Sequence, residues 1–562
     1  MPAKTSPVPK RKRAAAKQPR PTIETEELFW ADKLASEVIA SEARLKRGVK
    51  EYRTEMGLGA SGLPHVGNLS DAIRSYAVTL GLKDKGVPAV LIAFSDDRDG
   101  LRKVPAGFPN KLEGEIGKPV TEIDDPFGCH PSYGAHMSGL LLDALEQVGV
   151  KDYQFKSGAE TYGKGLLNEQ IEKLLLNEGK IKHIIKQEVG QDLPSVWFPV
   201  CERCGRVYTT RVTRVIPEQH AVEYSCDLEF KGKNVNTGKD IIIKGCGLKE
   251  AQSYRDGHGK LAWKVEFAAR WAALKISFEA YGKELIDSVR INDRICREIL
   301  GWEPPVHTMY EHFLEKGGGK MSKSMGNVLT PQDWLRYGSP LSLRLLMLKR
   351  FAGARELGPG DIPVYMEEVD KLENVYRGDI QITNEKELAH LKRLFEYVHF
   401  LKLPALPTLK VPYHTLVNMV QVFPVEPEKR FQIISESLAN MGLAPKSLNK
   451  LQEEEMKKRI DYAANWIEAE GLQAKPANVK VVTKEEKKAL QDIIKLLETK
   501  ATGGEMQAKL FEIARANGLE TRKLFGLLYQ ILLGSERGPR AGQLMEAIGK
   551  DKVAKMIERV LK

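Results

Sequence analysis

The sequence predicts an α/β protein whose parallel-sheet core is interrupted by a small β module and followed by an all-α carboxyl-terminal region. Three observations predict this. Residues 51–76 read as a strand, a glycine-rich turn and a helix, the opening of a nucleotide-binding α/β unit. Val87 to Phe94 is an unbroken apolar run, as a parallel strand buried on both faces requires. Beyond residue 350 the apolar periodicity is helical nearly throughout.

The chain has 562 residues, room for two to four domains at about 150 residues each. It is 42% hydrophobic and 29% charged, which permits a core and opposes wholesale disorder. A net charge of +11 and a pI near 9.0 favour a polyanionic partner, nucleic acid first, over a merely basic soluble protein. Residues 1–22 are read as a disordered basic tail, because seven lysines and arginines precede the first acid, Glu24, among many prolines and alanines. The tail lacks the apolar core of a secretory signal, and its prolines oppose the amphipathic helix of a transit peptide. A nonspecific polyanion-binding arm fits it better than a nuclear signal. No run of about 18 apolar residues occurs, so no membrane span is expected. The six cysteines are clustered in part, which suggests metal binding in a reducing cytoplasm and not a disulfide framework.

In order along the chain, a helix is expected from about Thr25 to Glu42, with Trp30, Leu34 and Val38 on one stripe. A strand over Glu51 to Met56 runs into Gly57-Leu58-Gly59-Ala60-Ser61-Gly62, and a helix follows from Gly67 through Ile73 and Tyr76. The strand at 87–94 ends in Ser95-Asp96-Asp97, at the sheet edge where α/β folds place their sites. Around 197–250 the texture turns β-rich, over Val207 to Ile216 and Ile241 to Lys244, flanked by two pairs of cysteines. Helical periodicity resumes at Trp263 and runs to about Ile299. A leucine-rich helix spans Ser339 to Arg350, and Thr483 with Glu486 forms a capping box ahead of a Leu490, Ile493, Ile494, Leu497 stripe. The expected organisation is a tail at 1–22, a Rossmann-like catalytic domain at 23–345 with the module at about 197–250 inserted, and a helical region at 346–562. That region is divisible at joints near 401–413 and 474–484.

The chemistry is concentrated in two short stretches. Lys320-Met321-Ser322-Lys323-Ser324, preceded by Gly317-Gly318-Gly319, reads as a polyphosphate clamp on a glycine hinge. A fixed pentapeptide occurs by chance in about one chain of this length in several thousand. Lys323 can neutralise charge on departing pyrophosphate, and Lys320 can assist. Upstream, Pro64-His65-Val66-Gly67-Asn68 heads a helix whose free N–H groups and dipole stabilise phosphate. His65 and Asn68 can donate to phosphate oxygens, and Gly67 leaves room for the nucleoside against the backbone. Gly62, Ser322 and Ser324 complete the expected ATP-binding set. Without its partner, a histidine at a helix start is more often a cap or core residue. Two further groups have ligand chemistry. Asp125, Cys129, His130 and His136 put four ligands of three types within twelve residues, which suits tetrahedral zinc as well as it suits a polar loop. Cys201 and Cys204 form a half-site, but Cys226 and Cys246 are twenty apart, so closure requires a hairpin between 230 and 244 to bring them together.

The HVGN and KMSKS stretches resemble the two signatures of class I aminoacyl-tRNA synthetases. Residues 95–105 (SDDRDGLRKVP), 260–271 (KLAWKVEFAARW) and Tyr281-Gly282-Lys283 resemble segments of the archaeal-type class I lysyl-tRNA synthetases. The likeness covers most of 25–350 and returns at 534–542. It implies that ATP, with Mg2+, and L-lysine give lysyl-adenylate and pyrophosphate. The lysyl group then passes to the 2′-hydroxyl of the terminal adenosine of tRNA(Lys). By position in the family motifs, Glu55, Gly57, Gly59, Trp271 and Tyr281 are expected to line the lysine pocket, with Asp97 a further acid. The resemblance also implies a zinc site at 125–136, one or two structural zinc ions in all, a cytoplasmic enzyme, and an anticodon-binding role for 346–562. Tyr413 and Phe423 are offered there as stacking residues, with core packing the stronger reading of both. The rivals are a sibling glutamyl-type synthetase, with Lys264 and Arg270 as cations, a non-catalytic RNA-binding relative, and a nucleotidyltransferase acting on a small molecule. The sequence leaves the oligomeric state open.

Overall fold

The computed structural model describes residues 29–561, apart from 61, 312, 316–328, 352, 354, 405–408, 410, 423–426, 441, 471–482 and 534–539. The core elements are α1 (Trp30–Leu45), β1 (Tyr52–Leu58), α2 (Val66–Asp84), β2 (Ala89–Ser95), α3 (Tyr133–Gln147), β3 (Tyr153–Ser157), α4 (Trp263–Leu274), β4 (Ile276–Gly282), α5 (Ile286–Ile295) and β5 (Val306–Tyr310). The five strands form one sheet in the order β5-β4-β1-β2-β3, and every pair is parallel. All seven residues of β2 are buried, as its apolar run requires. The chain builds outward from β1 first to one side and then to the other. The order therefore reverses between β1 and β4, and their carboxyl ends open the crevice where such sheets bind ligands.

One expectation fails. The stretch from Trp263 to Ile299 is not continuous helix. α4 stops at Leu274, Lys275 turns in the left-handed region (φ 55°), and Ile276–Gly282 is the strand beside β1. A strand buried on both faces shows no alternation, so its apolar residues merge with the helical stripes on either side. β-Branched Ile276 and aromatic Phe278 and Tyr281 carry the signal that favours a strand. Smaller shifts occur at ends. The first helix is described from Trp30, β1 runs on to Leu58, and the strand expected from Val207 begins at Arg211. There the Thr210 hydroxyl bonds the carbonyls of Pro199 and Val207, which holds 207–210 as a turn.

The inserted module closes on an antiparallel ribbon of Trp197–Pro199 with Gly259–Leu261. Beyond it, Arg211–Ile216, Ala221–Ser225 and Lys249–Ser253 form a three-stranded sheet with Ala221–Ser225 central. The hairpin is present, as Glu229–Asn234 paired with Asp240–Lys244, and Lys103–Val104 of the core adds to it in parallel.

Helices Pro340–Leu348, Ile362–Arg377 and Glu385–Val398 follow the core and share one apolar cluster with α2. Arg393 ties this layer down by pairing with Asp32 of α1 and Asp84 of α2, each at 2.8 Å, and the Tyr397 hydroxyl also donates to Asp32. Phe400 and Leu401 adopt positive φ just after the last of these helices, and Tyr413 opens the next one. Further helices run to Leu561. Thr483 and Glu486 make the capping box, and Leu490, Ile493 and Leu497 are core. Tyr413 is fully buried and so packs in the core, while Phe423 and most of 534–542 lie outside the described residues.

Candidate active site and metal centres

His65 is the amino-terminal cap of α2, in extended backbone, and Asn68 Oδ1 accepts its N–H at 3.0 Å. Asn68 thus uses its carbonyl to shape the helix start and keeps its amide as the donor. A Cβ added at Gly67 would lie 2.8 Å from the His65 ring, so the glycine makes room for the histidine itself. Lys320, Ser322, Lys323 and Ser324 lie outside the described residues. Their described flanks are informative. Phe313–Glu315 precedes them, and Leu329, just after them, accepts the Val66 N–H at 3.0 Å. The chain leaving the lysine pentapeptide is therefore hydrogen-bonded to the residue beside His65. Gly62 lies buried on the turn between β1 and α2, on the same approach.

At the crevice, one buried arginine faces several carboxylates. Arg270, on α4, is fully buried, with Glu55 Oε1 and Asp96 Oδ1 each at 2.8 Å and Glu279 Oε1 at 3.6 Å. Its guanidinium also lies over the rings of Phe94 and Phe267. Asp71, on α2, joins the group by accepting the Gly57 N–H at 3.0 Å. Burial, the largest cause, raises Glu55, Asp71 and Glu279 above the ordinary carboxylate range despite Arg270, and pushes Asp96 up to about 7. Glu55 is sealed from solvent, and neither its Oε2 nor Asp71 Oδ1 has a hydrogen-bond partner among the described residues.

Trp271 is 1% exposed, and its Nε1 donates to Glu279. Its ring stacks at 6.1 Å on His307, which also meets Tyr281 edge-on at 5.5 Å and Asp293 at 3.0 Å. Glu55, Gly57, Trp271 and Tyr281 therefore gather at the β1–β4 crevice, and half-buried Gly59 follows the end of β1. Asp97 serves elsewhere, since its Oδ1 accepts the Ala159 N–H at 2.8 Å. Sequence reasoning missed Asp71, Glu279 and His307 because no motif marks them. The available signal for Asp71 was its position one turn beyond Asn68, on the helix face turned to β1.

Both metal groups assemble. The sulfurs of Cys201, Cys204, Cys226 and Cys246 lie within 4.8 Å of one another, with Cys201 to Cys246 at 3.5 Å and Cys204 to Cys226 at 3.8 Å. Four sulfurs at about 2.3 Å from zinc sit about 3.8 Å apart, so the set fits the ion. The hairpin closes the sequence gap between Cys226 and Cys246. In the second group, Cys129 Sγ lies 3.2 Å from Asp125 Oδ2, His130 Nδ1 and His136 Nδ1. Burial alone would raise Asp125, but bonds from the Phe127, His130 and Cys129 amides and the Cys129 thiol hold it well below the usual range. One thiol, two imidazoles and a carboxylate so spaced also fit tetrahedral zinc.

The family of tRNA synthetases of class I (K) matches residues 28–400, and an anticodon binding domain matches residues 445–561. The lysine–tRNA ligase of Cenarchaeum symbiosum (strain A) is 42% identical over 534 residues, covering 94% of this chain and 98% of that protein. That of Rickettsia prowazekii (strain Madrid E) is 31% identical, covering 90% and 92%. That of Methanosphaera stadtmanae is 28% identical, covering 94% and 98%. With two-thirds of its length matched by the family and near-complete relatives on either side of 30% identity, the chain belongs to the tRNA synthetases of class I (K).

Proposed function

We infer that this chain attaches lysine to tRNA(Lys) in two steps. The lysine carboxylate attacks the α-phosphorus of ATP, and the bond to the β-phosphate oxygen breaks to release pyrophosphate. The 2′-hydroxyl of the terminal adenosine then attacks the acyl carbon of lysyl-adenylate, loses its proton, and expels AMP. No protein nucleophile is needed, so the protein positions the reactants and stabilises charge. His65, the Asn68 amide and the α2 amino terminus suit the phosphates, and Lys320 and Lys323 suit the leaving pyrophosphate, with Ser322, Ser324 and Gly62 beside them. Mg2+ would neutralise phosphate charge when ATP is bound.

The observation that carries the amino-acid assignment is the charge balance at the crevice. Glu55, Asp96 and Glu279 ion-pair with Arg270, and Asp71 beside them feels the charge of Arg74 as well as of Arg270, so four carboxylates face two guanidinium groups. That surplus suits the ammonium of lysine and opposes a glutamate side chain. Arg270, the cation a glutamyl-type pocket would use, is already committed. Trp271 and Tyr281 supply apolar wall for the stem. Zinc held by Cys201, Cys204, Cys226 and Cys246, and by Asp125, Cys129, His130 and His136, would brace loops without entering the reaction. Six free thiols suit a reducing cytoplasm, and no described helix is long and apolar enough to cross a membrane. The helices beyond 400 suit tRNA binding.

Exchange of pyrophosphate into ATP, assayed with each of the twenty amino acids with and without tRNA, tests the proposal. Lysine alone should support it. Support by glutamate instead would establish the sibling reading, and no exchange with any amino acid would favour a non-catalytic RNA-binding role. Lys323→Ala should lower adenylate formation at least tenfold with lysine binding little changed. Equal losses in both would remove the clamp.

A further inference from the structure

One buried acid next to the crevice takes no part in it. Glu266 is 3% exposed and lies on α4, one helical turn before Arg270. An acid four residues ahead of a cation is the spacing and order at which two side chains of a helix pair best. Arg270 already feels the charge of Glu266, and its Nε is buried with no hydrogen-bond partner among the described residues. Yet the ion pairs that Arg270 makes among the described residues go to Glu55, Asp96 and Glu279.

Glu266 is held the other way. Its Oε2 lies 3.1 Å from Lys260 Nζ, and its Oε1 accepts the Tyr162 hydroxyl at 2.7 Å. Tyr162 is fixed in turn, because its oxygen accepts the Leu261 N–H at 3.1 Å. Lys260 belongs to the ribbon that closes the inserted module, is 1% exposed, and also pairs with Asp99. Desolvating such charges costs about as much as their attraction returns. The consequence of the Lys260 charge therefore lies less in stability than in where it points Glu266.

We propose that Lys260 is a positioning residue for amino-acid binding, which by claiming Glu266 keeps the Arg270 guanidinium turned to Glu55, Asp96 and Glu279. The inference rests on the lysine reading above. Without Lys260, Glu266 keeps its bond from Tyr162 and turns its other oxygen to Arg270 Nε. The guanidinium then withdraws from the crevice. Its former carboxylates, buried and close together, take up protons, and the negative charge that attracts the substrate ammonium is lost.

The test is lysine-dependent pyrophosphate exchange, with tRNA(Lys) present, by full-length wild-type protein, Lys260→Met, Glu266→Gln and the double variant. Glutamine at 266 keeps an oxygen for the Tyr162 hydroxyl and removes the charge that competes for Arg270. Lys260→Met should raise the KM for lysine roughly tenfold and leave the KM for ATP within twofold. Glu266→Gln alone should leave the KM for lysine within threefold of wild type. The double variant should also return to within threefold, a rescue that a merely structural role for Lys260 would not give. A rise below threefold in Lys260→Met, or a fall, overturns the proposal. So does a rise above threefold in Glu266→Gln alone, which would make Glu266 a support of the pocket and not a competitor. An equal rise in the KM for ATP overturns it in favour of general damage. A double variant that stays more than threefold raised, or does not fold, overturns it too, since Lys260 would then act through its own bonds. If Lys260→Met alone fails to fold, the double variant decides by the same limits. If the wild-type protein shows no exchange with lysine, the lysine reading itself has failed, an outcome visible before any variant is compared.

Discussion

A methyl group at position 67 would press on the His65 ring, which lies 2.8 Å from where that Cβ would be. Gly67→Ala should therefore displace the ring and cut the exchange rate at least tenfold while the melting temperature moves by only a few degrees; stopped-time exchange and a thermal melt read the two effects. The glycine was legible in the sequence, but its reason was not. Spacing suggested room for the nucleoside, whereas the nearest atoms belong to the histidine two residues back. Arg270 was likewise visible, and weighed as a cation for a glutamate substrate. Only the fold brings Glu55, Asp96 and Glu279, from three different strands or their ends, onto its one guanidinium. Arg270→Met should cost roughly 3–5 kcal/mol of stability in a denaturant titration, because it strands buried carboxylates without their partner. A loss below about 1 kcal/mol would mean that those carboxylates are protonated and neutral in the resting protein.

Elements marked by a start signal or a turn were read well from the chain. α2, the capping box at Thr483 and the module hairpin all combine local signals with the packing they finally adopt. β4 was lost because it is buried on both sides between β1 and β5, so its apolar run merges with the helical stripes around it and only its β-branched and aromatic residues mark it as a strand. The module shows the opposite case. Its cysteines announced a metal, but the twenty residues between Cys226 and Cys246 made closure uncertain until the hairpin folded the gap away. Cys201→Ser and Cys129→Ser should each lower the zinc content of the purified protein by one ion per chain, as measured by elemental analysis. An unchanged metal count in either variant rejects that centre. The Cys201 change should also loosen the module, detectable as faster amide exchange over residues 211–253, since structural zinc contributes directly to folding.

At the scale of the whole molecule, the buried carboxylates of the crevice tie stability to pH. Asp96 binds its proton up to about 7, against 3.8 ordinarily. Between those values the native protein holds a proton that the unfolded chain releases, so this group's contribution to stability declines as pH rises through the window. A bound ammonium reverses the repulsion that appears on ionisation. Saturating lysine should thus raise the melting temperature more at about pH 8 than at about pH 5.5 in a thermal-shift titration, and an equal shift at both would uncouple the carboxylates from the substrate. The helices after residue 340 act on this crevice from outside. Arg393 and Tyr397 hold them to α1 and α2 through Asp32 and Asp84, so the layer that leads to the distal helices is anchored to the helix carrying His65. The charge surplus of the chain favoured a nucleic-acid partner without telling where it binds, because the basic residues are scattered along the sequence.

The strand order also sets a timetable for the nascent chain. On the ribosome, β1, β2 and β3 emerge together and can pair at once, but the other flank of β1 has to wait until the module has been synthesised and β4 follows it. Long-range pairing of this kind is slow, and domains made during synthesis settle from the amino terminus onward. For that interval a half-sheet exposes an apolar edge, and the carboxylates that will meet on Arg270 have not yet come together. Chaperone demand should accordingly peak while the module is being translated and fall once residue 282 has cleared the exit tunnel.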